Sequence, residues 1–208
     1  MDLTDMSFII GTVNSSEKYE KHIFSGYPVI PRDGNRTVEE TVSNAEKAFG
    51  PEDRKMPPVT VRKIDPDTSM YECLIRFVEN CSWYGAKEHI AQMLRNRELT
   101  DWETMFAAIS DGKIIGMASV MKTDYYPMPE VFPWISCIFV TEEYRGRSIS
   151  GKLIACANRY LKRHGFTRSY IPTEFSGLYE HYGYKYLRDI VNYGGGTDRL
   201  YAKDLKNL

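Results

Sequence analysis

Periodic placement of apolar residues predicts alternating strands and helices from Val59 to the C-terminus of the chain. The segment Val59–Ile64 alternates apolar and polar positions and is rich in β-branched residues, which is typical of a strand. The same criteria predict strands over Glu103–Ile109, Lys113–Lys122, Trp134–Val140, Arg168–Ile171, Tyr184–Asn192 and Asp198–Lys203. Helical spacing predicts helices over Met70–Cys81, Ala86–Asn96, Ile149–His164 and Ser176–Tyr182. This order of elements indicates an α+β domain built on one mixed sheet.

Local signals place the turns and the centre of that sheet. Asp111-Gly112 between two apolar runs predicts a hairpin, and Ser69–Glu72 fits a capping box at a helix start. The segment Trp134–Val140 is nearly all apolar, so we expect a central strand. Gly194–Gly196 lies between two predicted strands with no helix after it, which favours a hairpin turn over a phosphate loop.

A proline-rich stretch from Phe49 to Pro58 reads as a linker and divides the chain into two parts. Residues 1–57 form an N-terminal extension of unknown role, in which a strand over Phe8–Val13 and a helix over Val38–Phe49 are predicted. The pattern is compatible with a lid, a dimer arm or a partly ordered segment. Residues 58–208 form the predicted α+β domain.

Composition narrows the class of protein. The 208 residues are 42% hydrophobic and 26% charged with a net charge of -1, so a bulk nucleic-acid binder is disfavoured. No apolar run approaches the roughly 18 residues of a membrane span, and the acidic start lacks the basic region of a signal peptide. The 4 cysteines are scattered and none has zinc-site spacing with another Cys or His, so we expect reduced thiols, a cytoplasmic protein and no metal.

The segment from Val140 to Leu153 carries the clearest chemistry. A buried strand ends, a turn of small residues follows, and an amphipathic helix begins. The free amides and the dipole of a helix N-terminus attract anions, and small residues let a ligand approach the backbone. Residues 141–170 hold seven Arg and Lys residues against two Glu residues. The sequence therefore predicts a phosphate or pyrophosphate site here.

Neither GxxxxGK[ST] nor GxGxxG is present, so the two common nucleotide-binding loops are excluded. The segment instead resembles motif A of the GNAT superfamily of N-acetyltransferases, Q/R-x-x-G-x-G/A. Arg145 matches the first position, whereas Ser148 and Ser150 stand where the family has glycine or another small residue. Each serine keeps its backbone amide but adds a Cβ that crowds the pyrophosphate or a hydroxyl that donates to it.

A second segment extends the resemblance. Phe175–Tyr184 contains Leu178-Tyr179-Glu180 and Gly183-Tyr184, and it is similar to the family's LYExxGF segment after the fifth strand. The order of elements from Val59 onward also matches. The resemblance implies a GNAT-like mixed, mostly antiparallel sheet flanked by helices, preceded by the N-terminal extension.

In function, the resemblance implies an enzyme that binds acetyl-CoA as co-substrate and transfers the acetyl group directly to an amine. The family's pantetheine arm lies between the fourth and fifth strands and bonds to fourth-strand backbone. The family's general acid corresponds to Tyr179, and a fourth-strand amide near Cys137 or Ile138 is the expected oxyanion donor. The implied cofactor-binding residues are Ile138, Val140, Arg145, Gly146, Arg147, Ser148, Ile149, Ser150, Gly151 and Lys152.

Several assignments stay open from sequence. The general base is one of Glu103, Asp124, Glu130 and Glu174, or a water molecule held by the protein. The aromatic, proline-stiffened loop Asp124–Trp134 either walls an acceptor pocket or packs its own side chains. A noncatalytic CoA-binding sensor or scaffold is the alternative to an enzyme. The partners expected are acetyl-CoA and a small-molecule amine, with no nucleic acid or membrane, and a homodimer is compatible with the sequence.

Overall fold

The computed structural model describes residues 57–83, 87–206 and 208. Its strands are β1 Thr60–Ile64, β2 Thr104–Ser110, β3 Lys113–Met121, β4 Trp134–Val140, β5 Arg168–Thr173, β6 Lys185–Val191 and β7 Thr197–Asp204. Its α-helices are α1 Ser69–Asn80, α2 Lys87–Arg95 and α3 Ile149–Arg163. One-turn 3₁₀ helices cover Glu142–Tyr144 and Glu180–Tyr182.

The seven strands form one sheet in the order β1-β2-β3-β4-β5-β7-β6. Every neighbouring pair is antiparallel except β4 and β5, which are parallel. The predicted α+β fold with a mixed, mostly antiparallel sheet is therefore confirmed, and β4 lies at the centre of the sheet as its apolar sequence predicts.

The two faces of the sheet are covered by different helices. Phe106 and Ala108 of β2 lie in the core cluster that includes the buried side of α3. Met105 and Ala107 lie in the cluster that includes α1 and α2. Since successive side chains of a strand point to opposite faces, each face carries its own apolar layer. The central strands β2 to β4 are thus buried on both sides.

Local structure departs from the sequence prediction at two helix starts. The N-cap of α1 is Thr68 rather than Ser69, and no side chain caps the helix, so the predicted capping box is wrong. The Thr68 hydroxyl instead donates to the carbonyl of Asp65 at 2.7 Å, within the preceding turn. The helix predicted over Ser176–Tyr182 is reduced to the 3₁₀ turn Glu180–Tyr182. Gly177 at φ 85° precedes this turn and Gly183 at φ 80° ends it, so left-handed residues bound it on both sides.

The helix α2 begins at Lys87, next to the undescribed residues 84–86. The strand predicted over Phe8–Val13 and the helix predicted over Val38–Phe49 lie outside the described residues. The boundary at residue 57 stays a prediction. None of the helices in the described part of the chain is long and apolar enough to cross a membrane.

We predict that a truncated protein beginning at Pro57 folds and binds acetyl-CoA like the full chain. All the described strands and helices follow this residue, and its carbonyl accepts a hydrogen bond from the Ser110 hydroxyl at 3.2 Å. Circular dichroism, thermal melting and calorimetry with acetyl-CoA provide the check. A second truncation beginning at Asp65 removes β1 and exposes β2, so it should melt at a lower temperature. Failure of the Pro57 protein to fold would make residues 1–56 part of the core.

Candidate active site

A wedge-shaped gap separates β4 from β5. The two strands pair only at Trp134 and Tyr170, where the Tyr170 N–H donates to the Pro133 carbonyl at 3.0 Å. No pairing between these strands follows in the described residues, although β4 continues to Val140 and β5 to Thr173. The strands therefore diverge toward their C-terminal ends, and the backbone of β4 loses its ladder partner on that side.

A β-bulge at Cys137 determines which peptide groups of β4 face the gap. Ser119 pairs with Ser136 and Met117 with Phe139, so β4 has one more residue than β3 between these pairs. Cys137 adopts φ 52°, in the left-handed region. The extra residue of such a bulge reverses, from that point on, which peptide groups of the strand face the neighbouring strand.

Beyond the bulge, the peptide groups of Ile138 and Val140 point away from β3. The Thr141 N–H donates to the Ile115 carbonyl of β3 at 2.9 Å. Because peptide groups alternate along a strand, those of Thr141 and Phe139 face β3, whereas those of Val140 and Ile138 face the gap. On the gap side, Arg145 Nε donates a hydrogen bond to the Val140 carbonyl at 3.0 Å. The N–H of Val140 and the peptide groups of Ile138 are the strand-edge groups that a ligand in the gap can meet.

The Arg145 side chain organises the turn after β4. Besides its bond to Val140, its guanidinium donates to Glu142 at 2.8 Å and lies 5.7 Å from the centre of the Phe139 ring. Glu142 also accepts from the Ser82 hydroxyl at 2.6 Å. Desolvation by itself would raise the pKa of Glu142, but hydrogen bonds from Ser82 and the backbone, with the Arg145 charge, hold it below its usual value. Arg145 thus fixes the turn with its side chain, and its own N–H closes the turn by donating to the Glu142 carbonyl at 3.1 Å.

The N-terminus of α3 presents free amides at the end of that turn. Lys152 is the first helical residue whose N–H finds an intrahelical acceptor, the Ser148 carbonyl at 3.1 Å. The preceding N–H groups of Ile149, Ser150 and Gly151 have no acceptor within their own helix because they lie in its first turn. The exposed Arg147 and Lys152 add positive charge. This arrangement suits an anion such as a pyrophosphate.

The backbone conformation of Ser148 is one that glycine adopts more easily than serine. Ser148 is the N-cap of α3, yet its backbone is left-handed at φ 54° and ψ 26°, and its side chain makes no capping bond. This conformation costs a residue with a Cβ roughly 1–2 kcal/mol, whereas glycine adopts it freely. The serine at this motif position is therefore compatible with the turn but strained.

We predict that Ser148→Gly raises the free energy of unfolding by up to about 1 kcal/mol, because relief of the left-handed strain outweighs the entropy of an added glycine. Denaturant titration measures the change. The matched control is Gly146→Ser, which places a Cβ at φ 72° in the same turn and should lower stability. Equal stability of Ser148→Gly and the parent would show that Ser148 is not strained.

Tyr182 packs against the first turn of α3, which sequence reasoning missed. A Cβ on Gly151 would lie 2.6 Å from Cε1 of the Tyr182 ring, so only glycine fits there without moving the ring. The Tyr182 hydroxyl and the Ser150 hydroxyl are 2.9 Å apart and share a hydrogen bond. The Ser150 side chain therefore contacts a neighbour, while its amide stays available. The sequence signal for this close contact was Gly151, a glycine within the helix that follows the motif positions Ser148 and Ser150.

Tyr179 lies beside Tyr182, immediately before the 3₁₀ turn Glu180–Tyr182. Its side chain is only 8% exposed, and its ring is surrounded by Tyr182, Tyr184 and Tyr201 at centroid distances of 6.4, 6.5 and 6.1 Å. Burial raises the pKa of Tyr179 to about 12, although a hydrogen bond with Thr173 opposes the shift. The phenol is therefore protonated at neutral pH, although it is a weaker acid than an exposed tyrosine.

The loop between β3 and β4 is anchored to the β6–β7 hairpin. The Tyr126 hydroxyl donates to Asp198 at 2.8 Å, and its ring stacks on Trp134 at 5.6 Å. The rings of Tyr125 and Tyr193 meet edge to face at 5.8 Å. The loop therefore packs some of its own aromatics, as one of the two sequence interpretations has it. Tyr125 and Tyr193 nevertheless keep 59% and 67% of their surface exposed, so an aromatic surface remains beside the loop.

The hairpin turn itself is confirmed at Gly194–Gly196. Asn192 Oδ1 accepts from the backbone N–H groups of Gly194 and Gly196, both at 3.0 Å. Because both amides already donate to Asn192, they are not available to a phosphate, which argues against a phosphate loop at this point.

Cys137 is not suited to act as a nucleophile. Burial raises the pKa of its thiol to about 12, although the Ser119 hydroxyl opposes the shift. A thiolate rather than a thiol is the nucleophile, so this cysteine stays inert at neutral pH. The described residues contain no cluster of three or more His, Cys, Asp or Glu side chains able to hold a metal ion.

Comparisons with known proteins agree with this architecture. Residues 101–186 match the family model "Acetyltransferase (GNAT) domain", a segment that includes the bulge, the turn, α3 and Tyr179. No curated protein matches the sequence.

Solved structures share the fold at low sequence identity. An aminoglycoside 6'-N-acetyltransferase complexed with coenzyme A is 14% identical, with a TM-score of 0.55 over 70% of this chain and 97% of that one. The aminoglycoside 6'-N-acetyltransferase from Enterococcus faecium is 13% identical, with a TM-score of 0.54 and the same two coverages. A spermidine N-acetyltransferase variant from Vibrio cholerae is 14% identical, with a TM-score of 0.51 over 72% and 95% of the two chains.

Residues 101–186 match an acetyltransferase (GNAT) domain, as motif A and the Leu178-Tyr179-Glu180 segment predict. The roles of individual residues in the site stay predictions.

Proposed function

We propose that this protein is an acetyl-CoA-dependent N-acetyltransferase that moves the acetyl group directly to a primary amine of a small molecule. The observation that carries the proposal is the divergence of β4 and β5 beside the N-terminus of α3. This geometry offers strand-edge groups to an amide-containing arm and free helix amides to a pyrophosphate.

Acetyl-CoA is proposed to bind along this path. The pantetheine amides bond to the peptide groups of Ile138 and to the Val140 N–H, which face the gap. The pyrophosphate accepts from the amides of the turn after Arg145, up to Gly151, where the exposed Arg147 and Lys152 complement its charge. The Arg145 side chain contributes by holding the turn through Val140 and Glu142.

Acetyl transfer is proposed to proceed by direct attack of the neutral amine on the thioester. A peptide N–H at the bulge, from Cys137 or Ile138, stabilises the oxyanion of the tetrahedral intermediate. Tyr179 protonates the departing thiolate, whose thiol has a pKa near 8.5 as for cysteine. The high pKa of Cys137 favours direct transfer over an acetyl-cysteine intermediate.

A small-molecule amine is the proposed acceptor. Two observations support it: the exposed aromatic surface beside the β3–β4 loop, and the fold shared with aminoglycoside and spermidine N-acetyltransferases. The four cysteines are free thiols, which supports a cytoplasmic location. A homodimer, and the absence of nucleic-acid and membrane partners, stay predictions.

A noncatalytic CoA-binding sensor is the second candidate. The observation that favours it is the strained Ser148 together with Ser150, whose hydroxyl is bonded to Tyr182 over the anion site. Calorimetry with acetyl-CoA beside a thiol-release assay distinguishes the two. The amine panel contains spermidine, free lysine, an aminoglycoside and a lysine-containing peptide. Binding with amine-dependent thiol release supports the enzyme, whereas binding without release from any amine supports the sensor.

A further inference from the structure

The carboxylate of Asp124 is fixed beside the bulge in β4. It accepts hydrogen bonds from the Ser136 hydroxyl and, at 2.6 Å, from the N–H of Tyr125. Ser136 directly precedes the bulged Cys137, whose neighbour Ile138 turns its peptide groups to the gap. A charged group in the β3–β4 loop is therefore held next to the point where β4 changes its alternation.

The same carboxylate lies on the sheet face opposite α3. Ile135 belongs to the core cluster under α3, so the adjacent Ser136 points to the other face. Cys137 packs against the cluster of α1 and α2 on that other face. An acceptor that enters from the Asp124 side and acetyl-CoA bound at the α3 N-terminus would thus meet at the gap from opposite faces.

The electrostatic surroundings suit a group that gains and loses a proton. Burial raises the pKa of Asp124 and the nearby Asp198 raises it further, while the bonds from Ser136 and Tyr125 oppose the shift. The other titratable neighbours are Tyr126 and Cys137, and burial raises the pKa of each, so both are neutral at assay pH. A carboxylate with a raised pKa is a stronger base than an exposed one.

The other three candidate carboxylates are less suited to this role. Glu103 accepts from the N–H and hydroxyl of Thr100 and from the Lys122 N–H, so it holds two loop ends together. Glu130 and Glu174 are exposed, and no hydrogen bond or ion pair orients either carboxylate within the described residues. Asp124 alone among the four candidates combines a fixed orientation with a position at the bulge.

We propose that Asp124 is the general base that takes the proton from the acceptor amine, and that Ser136 positions it. This inference rests on the proposed acetyltransferase function. Asp124 accepts one proton from the ammonium group, directly or through one water, and the freed lone pair forms the C–N bond to the thioester carbonyl. The C–S bond then breaks, and the thiolate takes the Tyr179 proton. A second proton from nitrogen restores the Tyr179 phenol, so one proton in total leaves to solvent.

The test is Asp124→Asn in the full-length protein. With the most active aliphatic amine of the panel, kcat should fall by about 10²–10⁴-fold, because the ammonium group loses its base. Acetyl-CoA affinity should stay at the parental value. The loss should shrink to within about tenfold for an alkoxyamine counterpart of that acceptor, which is already neutral at assay pH and needs no base. Glu130→Gln is the matched control in the same loop and should retain parental turnover.

A second variant tests the positioning role of Ser136. Its hydroxyl stabilises the ionised Asp124, so Ser136→Ala should raise the pKa of Asp124. The acidic limb of the kcat profile should move to higher pH in this variant and vanish in Asp124→Asn. Parental turnover of Asp124→Asn, or an equal loss with both nucleophiles, would overturn the assignment while leaving the acetyltransferase function intact. A parent that acetylates no amine of the panel would overturn the proposed function and the assignment with it.

Discussion

Replacing Tyr179 by Phe is expected to lower turnover by about 10²–10⁴-fold while acetyl-CoA affinity changes little. The ring remains to fill the space between Tyr182, Tyr184 and Tyr201, and only the hydroxyl is lost. General acids contribute rate enhancements of this size, and the lost interaction belongs to the transition state rather than to bound acetyl-CoA. Steady-state kinetics and calorimetry on the same preparation measure both quantities.

The pH profile gives an independent check on Tyr179. Because burial raises the pKa of its phenol to about 12, the proton stays in place through the usual assay range. The parent should therefore show no alkaline decline from this group near pH 10, which is about where an exposed tyrosine ionises. A decline in that range in the parent that disappears in Tyr179→Phe would contradict the burial of the group.

A matched variant separates acid catalysis from packing. Tyr184→Phe removes one hydroxyl from the same aromatic cluster, where it bonds to Ser169 and Asn158 at 2.8 and 3.1 Å. We expect this variant to lose stability by about 1–3 kcal/mol, because two buried hydrogen bonds are lost, and to keep its turnover. If Tyr179→Phe turns over like the parent, another donor protonates the thiolate. If it no longer binds acetyl-CoA, Tyr179 has a structural role.

Replacing Ser150 by Asp is expected to weaken acetyl-CoA binding tenfold or more, about 1.4 kcal/mol. Ser150 lies in the first turn of α3, where a carboxylate stabilises the helix but opposes a bound pyrophosphate. The protein should therefore fold while its affinity falls. Calorimetric titration with acetyl-CoA at low and high salt measures the effect, which should shrink as salt screens the added charge.

Ser150→Ala provides the neutral control for that experiment. It removes the hydroxyl bonded to Tyr182 at 2.9 Å but introduces no charge, so the affinity should remain within a fewfold of the parent. Unchanged affinity of a folded Ser150→Asp protein would show that the pyrophosphate does not lie at the α3 N-terminus. An equal loss in the alanine variant would attribute the effect to the Tyr182 contact instead.

Elements governed by local pattern were predictable from the sequence. The bounds of β4, Trp134–Val140, follow from a nearly all-apolar run between a proline and a polar turn. The hairpin at Asp111-Gly112 follows from turn chemistry, and both residues adopt positive φ, 49° and 71°. The start of α3 at Ile149 coincides with the onset of its amphipathic pattern.

Features that depend on distant partners were not predictable in the same way. The bulge at Cys137 arises from the register between β3 and β4, which no local pattern near Cys137 encodes. The contact of Tyr182 with Gly151 joins two segments only after the sheet has formed. The choice among four candidate bases also required the tertiary structure, because Glu103 and Asp124 differ only in what they contact.

Transfer of an isotope-labelled acetyl group from acetyl-CoA to an amine, followed by mass spectrometry, tests the proposed acetyltransferase activity without relying on any single residue. The full-length protein is incubated with labelled acetyl-CoA and each amine of the panel, and both products are quantified. Direct acetyl transfer should give a labelled N-acetyl amine and free CoA in equal amounts, formed only when enzyme and amine are both present. Tight binding of acetyl-CoA with no labelled amine from any acceptor would contradict it and favour a CoA-binding sensor.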